Sequence, residues 1–494
     1  MKRKILLTCL VLAACMGARA ENNAVTADSI RRYDLEEVTI HATKTGALLK
    51  DLPAKVEVVT RRQIEASGIN NLTDLLKNFT NVDVIEYPGY NSYFSIRGFK
   101  PDDGGKYVRV LVDGVPAGTA NMSTLSLGDV EQVEVLKGPF SSMYGSDAMG
   151  GVVNIVTKRN TEKLTGGIKL SAGSFQSSKG AFNVGGRIVG GLSFDASFDY
   201  LSQARSYKIG DHNLLHMSAV EKAILGEDTY GIRMGYSRHS GISARGRLGY
   251  DFGKNWSLNF IEMAFVGKDL PTGGNVWGGS GVKKKDITRH SSKLELNGRV
   301  KNHNLFFAPH YTVDETNTYT NETDTAFVYS GSKLSTYGFT AHDNLVIGKQ
   351  KIAFGIDNSN QVMEMLSRNQ KTGEPKAAYQ PDRRGSSVGI FLQGDLKLIR
   401  EKLNVSVGLR YDYIVSKLKK SPHMDNEEKT ENHNTFNPNI GLKYNIYGGL
   451  AAHASFGTAF SMPDAYKKAG EFLYGGVLTL GNPDLDPEKS RTVD

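Results

Sequence analysis

The chain has 494 residues and a formal net charge of +8, and both of its cysteines, Cys9 and Cys15, lie at the N-terminal end. The body of the chain therefore offers no disulfide and no cysteine metal site, and its scattered Lys and Arg, without an aromatic-interleaved basic run, argue against nucleic acid as a partner. No run of 18 apolar residues follows the N-terminal region, which excludes helical membrane spans, while 54 Gly, 22 Tyr and 21 Phe against 2 Trp suit many short strands, either soluble or closed into a membrane barrel.

Residues 1–20 have the three parts of an export signal: basic Lys2, Arg3 and Lys4, an apolar stretch over 5–14, and Ala18-Arg19-Ala20 as a small-x-small cleavage site. A rival reading takes Leu12-Ala13-Ala14-Cys15 as a lipobox with Cys15 lipidated, and both readings export the chain. Residues 21–34 are polar and without period. Leu35, Glu36, Glu37, Val38, Thr39 and Ile40 then form a short β-prone segment, read either as the first strand of the next domain or as an exposed strand that a partner captures by β-augmentation.

A small α+β domain starts near Leu52. Val56, Val58 and Val59 predict a strand, Thr60 with Gln63 a capping box opening a helix that stops near Gly68, and Leu72, Leu75, Leu76 and Phe79 the core stripe of a second helix from Asn71. Strands are expected at 82–85, 94–96, 108–112, 133–136 and 152–156, together forming one mixed sheet. Tyr87, Tyr90 and Tyr93 surround a Pro-Gly turn, a setting for aromatic ligand contacts or for packing on a neighbouring wall. The last two strands flank a segment with Gly138, Pro139, Gly145, Gly150 and Gly151, whose glycines permit tight turns beside other backbone.

From Lys163 onward the period is 2. Leu192, Phe194, Ala196, Phe198 and Tyr200 alternate with polar residues, as do Leu403, Val405, Val407, Leu409, Tyr411 and Tyr413, and weaker copies occur at 230–236, 256–260, 305–313 and 440–444. Residues 314–324, 369–384 and 421–434 read as long polar loops between strands.

Several of these segments resemble, in order, those of TonB-dependent outer-membrane receptors. They are residues 35–40 as a TonB box, Ser95-Ile96-Arg97-Gly98-Phe99, Val110-Leu111-Val112-Asp113-Gly114, the strand-turn-strand unit of 129–158, and Asn482-Pro483-Asp484-Leu485-Asp486-Pro487-Glu488. The resemblance implies a transmembrane antiparallel β-barrel with an N-terminal α+β plug domain: residues 1–20 a signal peptide, 21–48 a periplasmic segment with the TonB box, 49–160 the plug and 161–494 the barrel. The family closes its barrels with about 22 strands, and the residues after the plug supply about 13–16, so the sequence reads as C-terminally incomplete.

By the same resemblance the protein sits in the outer membrane of a Gram-negative cell and actively imports a scarce metal chelate, a ferric siderophore first and cobalamin or haem as alternatives. Its energy comes from a TonB-type inner-membrane protein. Arg97 and Lys137 would anchor the plug to acidic residues of the barrel wall, and Tyr87, Tyr90 and Tyr93 would face the extracellular vestibule and touch the substrate. Haem receptors of the family often carry a histidine between an aromatic-x-x-Pro segment and the Asn-Pro-Asp-Leu element; the interval from Phe460 to Gly481 has none, leaving loop histidines such as His290 or His310.

No catalytic constellation, nucleotide loop or cofactor motif is present, so the expectation is no enzyme and no cofactor. His212 and His216, spaced i, i+4, and the pair Asp102 and Asp103 read as loop residues rather than metal ligands. A different class of reading is an uncoupled porin or surface-binding protein that keeps the plug.

Overall fold

The α+β signals after Leu52 become a small domain in the computed structural model, which describes residues 38–494 apart from 70, 88, 100, 102–105, 120, 139, 207–236, 272–283, 320–326, 400–401, 448 and 475–476. The export signal, Leu35, Glu36, Glu37, Asp102, Asp103, His212, His216 and the expected strand at 230–236 lie outside the described residues.

Strand β1 (Thr39–Ile40) pairs with β2 (Ala47–Leu48). After β3 (Lys55–Thr60), the Gln63 side chain accepts the Thr60 backbone N–H at 2.9 Å and opens α1 (Arg61–Ser67), which Gly68 closes at φ +68°. Asn71 caps α2 (Leu72–Phe79) through the Asp74 N–H at 2.6 Å. Strands β4 (Asp83–Tyr87) and β5 (Asn91–Ser95) form a hairpin, followed by β6 (Val108–Val112), β7 (Val115–Pro116), β8 (Val130–Lys137), helix α3 (Ser141–Tyr144) and β9 (Gly151–Thr157). The sheet order is β3-β8-β9-β6-β7, with β6 and β9 parallel and the other pairs antiparallel. Asp113 and Gly114, at φ +52° and +76°, make the two-residue turn between β6 and β7.

Two expectations are corrected here. The β4–β5 hairpin stands apart from the central sheet, because its strands pair only with each other. Leu72, Leu75 and Leu76 are buried as the helical stripe requires, but Phe79, one turn on at the helix end, is 38% exposed.

Among the described residues the period-2 region forms one antiparallel sheet of 14 strands, within the expected 13–16. They are β10 (Thr165–Gly173), β11 (Ser177–Val189), β12 (Leu192–Gln203), β13 (His239–Phe252), β14 (Trp256–Pro271), β15 (Lys284–Val300), β16 (His303–Tyr319), β17 (Val328–Ile347), β18 (Gln350–Ser367), β19 (Arg383–Leu398), β20 (Leu403–Leu418), β21 (Lys429–Tyr447) and β22 (Leu450–Ser461). A short helix, α4 (Ala465–Ala469), and a separate hairpin, β23 (Glu471–Tyr474) and β24 (Val477–Leu480), precede the fourteenth strand, β25 (Glu488–Val493), which pairs with β22. Residues 314–319, 383–384 and 429–434, read as loop, are strand, because the sheet runs past the roughly ten residues that a membrane crossing needs.

Alternation sorts the side chains into two faces. Leu248, Phe260 and Leu294 lie opposite one another on successive strands and are exposed on the outer face, as are Ile390, Tyr411 and Phe436. Asp195, Asp199, Arg245, Arg247, Lys293, Glu295, Arg410 and Asp412 alternate with such positions and are buried on the inner face. Strands join by tight turns at one end, as between Ile347 and Gln350 or Tyr447 and Leu450, and mostly by long connections at the other. The plug lies against the polar inner face.

Candidate binding site between plug and wall

The segment after residue 38 is fastened to the plug by a carboxylate. Glu134, fully buried on β8, accepts the backbone N–H groups of His41 and Ala42, each at 2.7 Å, and the side-chain amides of Gln132 at 2.6 Å and Asn154 at 2.9 Å. Four donors on one ionisable side chain satisfy the carboxylate away from water. The Tyr144 hydroxyl donates to the Ala42 carbonyl, while wall side chains hold the same segment at the tight-turn end: Asn344 donates to the Thr45 carbonyl at 2.9 Å and Lys351 to that of Gly46 at 2.6 Å.

Further along, charged side chains of the plug meet opposite charges of the wall. Asp113 lies 3.3 Å from Lys293 and 3.7 Å from Arg159, and Arg159 donates to both oxygens of Glu295 at 2.6 and 3.0 Å. Burial disfavours the Asp113 carboxylate, but Lys293, Arg159 and Arg245 outweigh it and hold its pKa well below the usual range. Asp129 pairs with Arg245 at 2.9 Å, yet burial dominates there and raises its pKa. Arg410 on β20 bridges Asp357 at 2.7 Å and Asp412 at 2.8 Å and reaches the Met143 carbonyl of α3 at 3.3 Å. Glu488, the last residue of the Asn-Pro-Asp-Leu element, accepts from Lys106 and, at 2.8 Å, from the Tyr107 hydroxyl.

The residues singled out from sequence fall into different places. Arg97 donates from both terminal nitrogens to Asp494, which follows β25, at 2.9 and 2.7 Å. Lys137 does not reach the wall: it pairs with Glu57 of β3 at 2.7 Å, because β8 and β3 are neighbours and the side chain stays inside the plug. Tyr90 packs on the wall rather than standing open, edge-on to Phe265 at 4.8 Å and His239 at 5.5 Å between ring centres. The Tyr93 hydroxyl accepts from Asn91 at 3.2 Å, and of Tyr87 only its place in β4 is described. Within residues 35–40, Thr39 and Ile40 are β1, with Ile40 fully buried, so the first-strand reading describes those two residues. His290 and His310, read as loop histidines, lie on β15 and β16. The sequence pattern marks neither Arg159 nor Glu295, and the Asp-Gly turn of the Val110–Gly114 segment explains Asp113 locally and says nothing of its partners.

Between the plug and strands β16 to β20 lies a cavity of about 290 Å³. Plug residues Arg109, Gly118 and Asp147 line one side and His310, Arg383 and Arg410 the other. It extends toward the long-connection end, where Arg383 opens β19 and Met462 follows β22. Among the described residues, no cluster of three or more His, Cys, Asp or Glu side chains could hold a metal ion.

A plug held by ion pairs against the polar inner face of an outward-apolar sheet defines a plugged membrane β-barrel protein. Residues 48–152 match the TonB-dependent Receptor Plug Domain family and residues 174–494 the TonB dependent receptor-like, beta-barrel family, so the chain belongs to the TonB-dependent receptors. Members of this family are transporters of the outer membrane, not enzymes. Among solved structures, the fold is similar to that of the ferric enterobactin receptor PfeA of Pseudomonas aeruginosa (16% identity, TM-score 0.69, covering 90% of this chain and 69% of that one). It is also similar to the ferric yersiniabactin uptake receptor FyuA of Yersinia pestis (16%, 0.64, 88% and 67%) and to the alcaligin outer-membrane receptor FauA of Bordetella pertussis (19%, 0.64, 88% and 68%).

Proposed function

We propose that this receptor imports a ferric siderophore across the outer membrane, driven by a TonB-type inner-membrane protein that engages the segment around residues 35–40. The observation that supports the reading is a cavity between plug and wall that extends toward the long connections and is lined in part by Lys44 of the N-terminal segment. The N-terminal segment is tied through its backbone groups to the Glu134 carboxylate of the plug and, at the tight-turn end, to the Lys351 side chain of the wall, while the cavity is polar and cation-rich. A ligand entering from the long-connection side and a pull from the tight-turn side would act on the same domain. The named ligands of PfeA, FyuA and FauA support a chelate as the cargo. The outer membrane has no energy source of its own, which accounts for a coupling partner.

Growth on limiting iron tests this, comparing a deletion strain with one carrying the full-length gene. A defect confined to siderophore iron is expected. A defect only with haem iron, or only under cobalamin limitation, would replace the ligand and keep the transporter. Uptake that persists after the proton gradient is dissipated would replace active import with an uncoupled pore.

A further inference from the structure

We propose that the cavity between plug and wall is an anion subsite, in which Arg109, Arg383 and His310 receive carboxylate or catecholate oxygens on an arm of the cargo. The inference rests on the import reading and names the substrate class of its site.

The cavity is lined by five cationic side chains: Lys44, Lys106, Arg109, Arg383 and Arg410. Arg410 is consumed by Asp357 and Asp412, Lys106 by Glu488, and Lys44 lies 3.9 Å from Asp357. Arg109 is different: its nearest carboxylate oxygen, on Asp147, is 3.8 Å away, beyond hydrogen-bond reach. Asp147 already accepts the hydroxyls of Ser146 at 2.8 Å and Ser461 at 3.0 Å. The Arg383 side chain makes no ion pair or hydrogen bond among the described residues, although its backbone belongs to the β18–β19–β20 ladder. The two guanidiniums thus bring roughly ten N–H donors, none taken up by protein. His310, only 7% exposed on the same cavity, has no hydrogen-bond partner at either ring nitrogen.

Unpaired donors away from bulk water are costly, and buried His310 together with the half-buried Arg109 and Arg383 around one cavity calls for acceptors from outside. Most carboxylate oxygens of the lining are engaged: Asp412 by Arg410, Asp464 by the Lys467 N–H at 2.7 Å and Asp357 Oδ2 by Arg410 at 2.7 Å, which leaves Asp357 Oδ1 without a hydrogen bond and 3.9 Å from Lys44. The excess is therefore of donors, which selects an anion over a cation. A guanidinium fork matches the paired oxygens of a carboxylate or catecholate better than a point charge does. With about 290 Å³ the cavity is at the small end of ligand sites, so it takes an arm of a chelate rather than the whole of it.

The test uses outer membranes containing the full-length receptor and measures binding of four probes: ferric citrate, a ferric tricatecholate, an uncharged ferric trihydroxamate and haemin. An anionic probe should bind best, and Arg109→Gln and Arg383→Gln should each weaken it by roughly tenfold or more. Arg383→Lys, which keeps the charge and loses the fork, should fall between, and Lys420→Gln, at an exposed position away from the cavity, should change nothing. If haemin alone responds to the arginines, the subsite stands with propionates as the source of the carboxylates and the siderophore reading falls. Tight binding of an anionic probe that both Gln variants keep within about twofold overturns the subsite alone, as does preference for the uncharged trihydroxamate. Wild-type receptor that binds none of the four overturns the subsite and the import reading together.

Discussion

Glu134 accepts the backbone N–H of Ala42 at 2.7 Å, joining the centre of the plug sheet to a segment 92 positions earlier in the chain. The contact uses main-chain donors, so it depends on where the segment lies and not on its side chains. Glu134→Gln keeps the size but replaces one acceptor oxygen with an N–H₂ that faces other donors. Hydrogen exchange at His41 and Ala42 should accelerate by roughly tenfold or more, with the strands of the central sheet little changed. Unchanged exchange at those two amides would refute the role of Glu134 as a fastening.

The pH response of Asp113 has a definite sign. Its folded pKa lies below the unfolded one, so its contribution is present above the unfolded carboxylate range and is lost as pH falls through the folded value. Asp113→Asn leaves Lys293 and Arg159 with Glu295 alone and should lower plug stability at neutral pH by about 3 kcal/mol. Denaturant unfolding in detergent across the acid range should show the gap to wild type closing as pH drops. A gap that stays constant would mean that the asparagine perturbs packing instead of charge.

Arg97 and Lys137 should separate under substitution. The Arg97–Asp494 pair is about a third exposed on both sides, and Arg97→Met should cost about 1 kcal/mol or less. Lys137 is 6% exposed at its side chain and faces Glu57, so Lys137→Met leaves that partly buried carboxylate with only the Asn81 N–H at 3.0 Å and Lys55 at 3.9 Å, and should cost about 3 kcal/mol. Equal losses in unfolding experiments would contradict the assignment of Lys137 to the interior of the plug.

Val38→Pro removes a backbone donor at the edge of the segment proposed for capture. In the full-length receptor, uptake should disappear while surface binding of the cargo persists. Loss of both, or of neither, would move the captured strand elsewhere.

The barrel was legible because a strand with lipid on one face and polar lumen on the other must alternate, and Leu409, Tyr411 and Tyr413 spell that out without reference to any partner. The plug helices were legible from local signals, Gln63 against Thr60 and Asn71 against Asp74, that act within one turn. Pairing across the plug–wall boundary was not. Nothing near Lys137 distinguishes a neighbour on β3 from one on the wall, and Tyr90 reads the same whether it meets a ligand or Phe265. Arg383 occupies an intermediate case. Val388, Ile390 and Leu392 face outward on its strand, so parity alone assigns residue 383 to the lumen, but which charges it lacks depends on Asp147 being taken by Ser461, a residue 314 positions away.

Arg159 grips Glu295 with two hydrogen bonds where the chain leaves the plug for the wall, whereas the plug's other end is held by the two residue pairs of β1 and β2, the amides accepted by Glu134 and single hydrogen bonds to its carbonyls from Tyr144, Asn344 and Lys351. The domain is therefore mechanically polarised. Tension applied at residue 38 meets a two-pair ladder and separate single hydrogen bonds that open one at a time, while the far end is riveted by a charged fork that must be broken all at once. Yielding would begin at the entrance and stop short of the exit, so that a displaced plug keeps a fixed point from which to fold back.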